Sequence, residues 1–268
     1  MQEVLIFLAA PTVMCLVLAV IHCYLGLHVL ARGVIFVDLS LAQVASFGAT
    51  FALLFVDEHD SLSSYLISLL ATFLAAGLFA LARRFEHKFS QEAVIGIVYA
   101  MASAAVVLVV DRLAHGAEHL KEALVGQVLW VSWAEVFKTA MIYAIVGAVH
   151  YKFRDRFLRA SAGEKMHWIW DFLFYALFGV VITSSTHIAG VLMVFSFLIV
   201  PAILGSVFFK TTRARLLFGW SLSAVVSVIG MFLSYTLDVP VGALIVVIFT
   251  SLPILALLYF SLTGLQRS

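Results

Sequence analysis

The feature that most constrains this chain is a succession of nine apolar stretches separated by short polar connections: 4–27, 34–56, 65–82, 93–110, 131–150, 172–188, 190–209, 217–237 and 240–260. A bilayer core about 30 Å thick is crossed by about 20 apolar residues in a helix. Backbone groups in lipid must be satisfied internally, which leaves helices or a closed barrel. None of the stretches shows the period-two alternation of a barrel strand. Composition points the same way: 64% of the 268 residues are hydrophobic and 12% charged, against about 25% charged in a soluble domain. So few polar groups cannot cover a globule in water. The expected fold is an all-α integral membrane protein, a polytopic helical bundle of about nine segments in a single domain, residues 1–268. The opening MQEVLIF lacks the positive region of a cleaved leader, so the first stretch is expected to stay as a helix.

Net charge is +1, which gives a polyanion nothing to recognise; membrane lipid is an expected partner and nucleic acid is not. Cys15 and Cys23 both fall in the first stretch and read as small core residues. Stretches six and seven are joined only at Ala189 and Gly190. With Pro201 nearby, they are either two crossings or one crossing and a short re-entrant helix.

Orientation follows from lysine and arginine, which accumulate on the cytoplasmic side. Placing the N-terminus outside puts Arg32; Arg83, Arg84 and Lys88; Lys152, Arg154, Arg156, Arg159 and Lys165; Lys210, Arg213 and Arg215; and Arg267 inside. These are 13 of the 16 basic residues, while Arg112 and Lys121 fall outside and Lys138 lies within stretch five. The expected topology is N-out and C-in.

Asp38 is the one acidic residue well within an apolar stretch. An intramembrane carboxylate costs about 2.5–3.5 kcal/mol on insertion scales and faces a bundle interior or a wet pathway. In the stretch VDLSLAQVASFGAT, 37–50, helical spacing sets Ser40, Gln43, Ser46 and Thr50 on one arc. Asp38, Ala42, Ala45 and Ala49 share the adjoining arc, and Leu41, Val44, Gly48 and Phe51 make a third face expected to meet lipid. The residues leave two readings open. The small side chains permit close helix packing with Asp38 hydrated at the inner interface, or Ser40, Ser46 and Thr50 line a route for a polar solute. His22 and His187 sit near predicted membrane ends and read as packed or interfacial imidazoles, and His150 with Tyr151 and Lys152 as an interface anchor.

Two connections on the outer side are rich in potential metal donors: DEHD at 57–60 and DRLAHGAEHLKE at 111–122. In the second, His115, Glu118 and His119 can meet on one helical face. Imidazole with carboxylate suits borderline ions such as zinc or manganese, though three or four fixed ligands make a zinc site. Transient capture of an ion and an ordinary wet loop both fit. The inner connection KFRDRFLRASAGEKMHWIWD, 152–171, is the most charged stretch. Arg154 to Ala162 can form a short helix with Phe153, Phe157 and Ala160 on one side, either docking a soluble partner or anchoring the positive-inside face.

Five segments resemble the permease subunits of zinc/manganese-type metal-ion ABC transporters. They are GLHVLARGVIFVDLSLAQVASFG at 26–48, EAVIGIVYAMASAAVVLV at 92–109, LVGQVLWVS at 124–132, AGVLMVFSFLIVPAILGS at 189–206 and SYTLDVPVGALIVVI at 234–248. They run in the family's order over most of the chain. The resemblance implies a type II ABC importer-like permease, not an enzyme, paired with a second permease subunit as a homodimer. It further implies two cytoplasmic ATP-binding subunits and an extracytoplasmic metal-binding protein. No Walker A loop is present to hydrolyse ATP in this chain. The coupling segment, about 152–166, would present Arg154, Asp155, Arg156, Arg159 and Gly163 to the ATPase. In the family a His follows the helix-two Asp by four residues and the pair serves the metal. Here position 42 is Ala, and Gln43 stands one residue later, a neutral and weaker donor than imidazole.

These readings together give a permease for a divalent transition-metal ion, zinc first and manganese or iron next, with no tightly bound cofactor and the ion itself as cargo. Asp38 and Gln43 are the expected contacts within the bundle, with His115, Glu118 and His119 at the mouth. The alternatives are a permease for a metal chelate such as a siderophore or cobalamin, for which 268 residues is short, and an integral-membrane metalloenzyme, for which the histidines are too scattered. A channel or secondary carrier would leave the ordered family segments unexplained, and no internal repeat supports one.

Overall fold

The computed structural model describes residues 2–55, 62–113 and 116–263, with the side chains of Gln2, Leu5, Ala117 and His119 left out of the description. All of its regular structure is helical: α1 (Gln2–Arg32), α2 (Val37–Ala52), α3 (Leu62–Arg84), α4 (Gln91–Val110), α5 (Gly116–Val125), α6 (Trp133–Lys152), α7 (Arg154–Ser161), α8 (Trp168–Phe208), α9 (Thr212–Leu237) and α10 (Val241–Thr263), with a single 3₁₀ turn at Val128–Trp130. Each of the nine apolar stretches falls on a helix, and α5 and α7 lie in the connections. Several helix starts carry their own polar cap. Ser132 accepts from the Glu135 amide while the Glu135 carboxylate accepts from the Ser132 amide, and Ser90 and Thr211 cap α4 and α9.

Among the described residues, six helices are long and apolar enough to cross a bilayer: α1, α3, α4, α8, α9 and α10. At 1.5 Å per residue, α8 as one rod would run about 60 Å, twice a bilayer core. It does not. Gly190 has φ 73° and ψ 161°, a region essentially closed to residues with a Cβ, and its backbone lies against that of Gly126. Contacts with α1 show what the break does. Asp171 meets Arg32 and Ser185 meets His22, so the first limb, 168–189, runs antiparallel to α1. Phe197 lies by Cys23 and Ala202 by Gly26, so the second limb runs parallel to it. The chain doubles back at Gly190.

The core is the first limb of α8 with α1, α2 and α3 around it. One expectation fails here. Leu41, Val44 and Gly48, assigned to lipid, are buried. α2 is walled in by α3, α4 and α8, and a Cβ at Gly48 would strike the Ser68 backbone. Only its ends, at Phe36 and Phe51, are exposed. At 16 residues α2 spans about 24 Å, an internal strut and not a peripheral helix. His150 is a second correction. It is buried with its ring stacked on Phe157 at 4.2 Å, while its neighbour Tyr151 is exposed.

Candidate substrate cavity

A cavity of about 620 Å³ opens between α2, α3, α5, α6 and the first limb of α8, toward the end of the bundle away from Arg32 and Arg83. Its walls carry hydroxyls: Ser46 from α2, Ser64 and Ser68 from α3, Thr139 from α6, Ser184 and Thr186 from α8. Hydrogen bonds decide what these hydroxyls offer. Ser68 donates to the Ser64 carbonyl, Ser184 to those of Val180 and Val181, and Thr186 to that of Ile182. A serine or threonine that spends its proton on its own helix retains oxygen lone pairs. The wall therefore presents acceptors, the surface a cation or its water shell requires. Four ionisable side chains join them: Glu122 from α5, Glu135 and Lys138 from α6, and His187 from α8. Two carboxylates thus stand against one ammonium at the rim. The Lys138 ammonium lies 5.9 Å from the centre of the Tyr65 ring.

Of the five candidates within α2, Ser46 lines this cavity and the others lie elsewhere. Thr50 donates to the Ser46 and Phe47 carbonyls of its own helix. Gln43 and Ser40 are buried. Asp38 sits in the first turn of α2, 1% exposed. Neither of its carboxylate oxygens, nor the Ser40 hydroxyl, has a hydrogen-bond partner among the described residues. Eight residues separate Asp38 from Ser46. The cavity thus lies about 12 Å along α2 from a buried carboxylate that has no side-chain donor among the described residues.

His115 lies outside the described residues, as does the DEHD segment; His119 is on α5 with its side chain undescribed, and Glu118 is exposed there. Among the described residues no group of three or more His, Cys, Asp or Glu stands close enough to hold a metal ion. At the opposite end, α7 forms where its spacing predicts. It buries Phe157, Ala160 and Ser161 and turns Arg154, Asp155, Arg156 and Arg159 outward. Gly163, at φ 86°, closes the turn that follows.

Several participants were not read from sequence. The run Thr183–Thr186 supplies the α8 wall and was visible as four hydroxyls inside an apolar stretch. His22, read from sequence as a packed or interfacial imidazole, is wholly buried, its Nδ1 2.7 Å from the Leu18 carbonyl and its Nε2 3.1 Å from the Ser185 hydroxyl, a partner that the sequence did not indicate. Ser161 and Asp171 accept from Arg32, and His28 joins them through the Ser161 hydroxyl; nothing local in the sequence announces that cluster.

Known proteins are similar to this chain over most of its length. The family model described as the ABC 3 transport family matches residues 5–260. A probable metal transport system membrane protein of Chlamydia muridarum is 21% identical over 230 residues, covering 83% of this chain and 78% of that protein. A probable iron transport system membrane protein of Haemophilus influenzae is 28% identical over 181 residues, 65% of this chain and 66% of its own length. The manganese transport system membrane protein MntB of a Synechocystis species is 26% identical over 180 residues, 65% of this chain and 58% of that protein. Among solved structures, PsaBC from Streptococcus pneumoniae in complex with Fab superposes with a TM-score of 0.74 at 18% identity, covering 91% of this chain and 88% of that one. An inward-facing putative metal-chelate type ABC transporter gives 0.72 at 17%, covering 97% and 88%. The chain therefore belongs to the ABC 3 transport family, as a multi-pass membrane permease and not an enzyme.

Proposed function

We propose that this permease imports a divalent transition-metal ion, entering through the cavity and passing Asp38 on its way across. The observation that carries the cargo is the cavity lining, hydroxyl lone pairs with two carboxylates and a single imidazole. Oxygen donors of this kind suit manganese and iron(II) better than zinc, which favours sulfur and nitrogen. Manganese or iron therefore stands ahead of zinc, and the names of the iron and manganese relatives support that order. Donors this dispersed bind weakly, which a conduit needs if the ion is to leave.

The topology we propose has nine crossings, N-out and C-in. The reversal of α8 at Gly190 supports counting its limbs separately, and the convergence of Arg32, Arg83 and α7 at one end supports the basic side as cytoplasmic. α7, with Arg154, Asp155, Arg156 and Arg159 outward, would meet a cytoplasmic ATP-binding subunit. An extracytoplasmic binding protein would deliver to the cavity side, and a second copy of the permease would complete a homodimer. Nucleotide binding then shifts the population between outward-open and inward-open bundles.

A second reading, a chelated ion, draws on Lys138 at the cavity wall and on the metal-chelate type neighbour. One experiment separates the two. The complex of this chain with its ATP-binding subunit and binding protein is reconstituted in liposomes and given manganese(II), iron(II) or zinc(II), free or as a citrate chelate. Uptake of free manganese or iron that the chelator suppresses supports the first reading. Uptake that requires the chelator supports the second, and no ATP-dependent uptake of any form overturns both.

A further inference from the structure

We infer that Arg32, Ser161 and Asp171 form a joint that makes α7 rigid with the walls of the cavity, so that force applied to α7 reaches α1, α3 and α8 together. This rests on α7 being the contact of the ATP-binding subunit. The joint is built at the last turn of α7, where helix carbonyls lack intrahelical partners and cations are favoured. Two arginines arrive there from different helices. Arg32 of α1 donates from Nε to the Ser161 hydroxyl at 3.0 Å and from Nη1 to Asp171 of α8 at 2.8 Å. Arg83 of α3 donates from Nη2 to the Ala160 carbonyl at 2.5 Å and pairs with the same Asp171 oxygen at 3.4 Å. Each guanidinium thus spans α7 and α8.

The polarity of the network is fixed by its chemistry. Because Arg32 Nε can only donate, the Ser161 oxygen accepts from it, and the serine proton is left for His28 Nδ1 at 2.9 Å. His28 belongs to α1, so one hydroxyl holds two side chains of that helix. The Arg32 side chain has no exposure and lies 3.9 Å over the Phe174 ring. Phe157 of α7 stacks on His150 and meets Trp170 edge-on. Pulling α7 away would strand buried charge on two arginines and one aspartate, which is why the contact moves as a body.

From this joint two rigid helices lead to the cavity. The first limb of α8 runs from Asp171 to Ser184 and Thr186, and α3 runs from Arg83 to Ser68 and Ser64. α3 and this limb are themselves linked, Thr72 to Thr183 at 3.3 Å. α2, which carries Asp38, packs against both helices, and its Ala49 carbonyl accepts from Ser64 of α3 at 3.5 Å. Movement of α7 is therefore carried to the α3 and α8 walls of the cavity together.

The test uses the permease with its ATP-binding subunit in liposomes, reading manganese(II) transported per ATP hydrolysed. It also reads the distance between spin labels at Leu158→Cys on α7 and Ile169→Cys on α8, with and without ATP and vanadate. Ser161→Ala should lower the transport-to-hydrolysis ratio by about tenfold, the size of a lost hydrogen bond to a charged group, while hydrolysis continues. Ser161→Thr should restore it. Arg32→Lys should not, because an ammonium cannot replace the guanidinium fork. The inter-label distance should stay constant through the cycle in the parent and change in Ser161→Ala. An unchanged ratio with a constant distance in Ser161→Ala, or a distance that already changes in the parent, overturns the joint. A parent that fails to carry manganese while its distances behave as described removes the proposed cargo and leaves the joint standing.

Discussion

Asp38 is a carboxylate removed from water and, among the described residues, given no side-chain partner, its nearest donors being the backbone amides of its own first turn. Such a group is retained in a membrane helix at a cost that packing does not return, and a passing cation is the partner that would satisfy it. Asp38→Asn keeps the shape and removes the charge. We expect it to reduce manganese uptake by at least about a hundredfold, the factor of about 2.7 kcal/mol in the barrier, with the ATPase complex still co-purifying; uptake at the parent rate would take Asp38 out of the route. This residue was legible from sequence because an acid inside an apolar run is anomalous wherever the run folds. Arg32 was legible only as a positive-inside marker. Its partners Ser161 and Asp171 are 129 and 139 residues away, and no periodicity reports a pairing at that separation. Cys15 and Cys23, read as small core residues, are buried.

At the scale of elements, hydropathy located every long helix, because length and apolarity are what a bilayer selects. It could not tell which face of α2 meets what. A helical wheel sorts residues into arcs but says nothing of how many neighbours surround the helix, so Leu41, Val44 and Gly48 went to lipid when α3, α4 and α8 enclose them. The break at Gly190 was legible as a place of irregularity; that it reverses the chain follows only from contacts on both limbs. Gly190→Ala imposes a Cβ on a backbone region that costs about 1–3 kcal/mol, and it drives that atom into the Gly126 backbone. The purified variant should melt at lower temperature than the parent in detergent, and an unchanged melting temperature would mean the hairpin tolerates another geometry. On α7, Arg154 and Arg156 face outward with Asp155. Reversing both charges to Glu should release the ATP-binding subunit during purification; retention with full ATP-driven transport would remove α7 as the docking helix.

The whole molecule has two unlike ends. One carries Arg83 and Arg84, the buried Arg32–Asp171 pair and the exposed face of α7. The other opens into a cavity with Glu122, Glu135 and His187 at its walls. Between them, α3 and the first limb of α8 are continuous helices, and α2 ends near the cavity at one side and at Asp38 on the other. This asymmetry is what a one-way importer needs, a receptive face, a driven face and rigid members joining them. The central claim is that the ion enters through this cavity, and thiol chemistry tests it most directly. Ser184→Cys, placed on the α8 wall in a chain whose own two cysteines are buried, is treated in whole cells with a membrane-impermeant thiol reagent, with and without manganese. The account predicts that the reagent modifies Ser184→Cys from outside, blocks manganese uptake, and is slowed by manganese itself. Modification that leaves uptake at its untreated rate would contradict it.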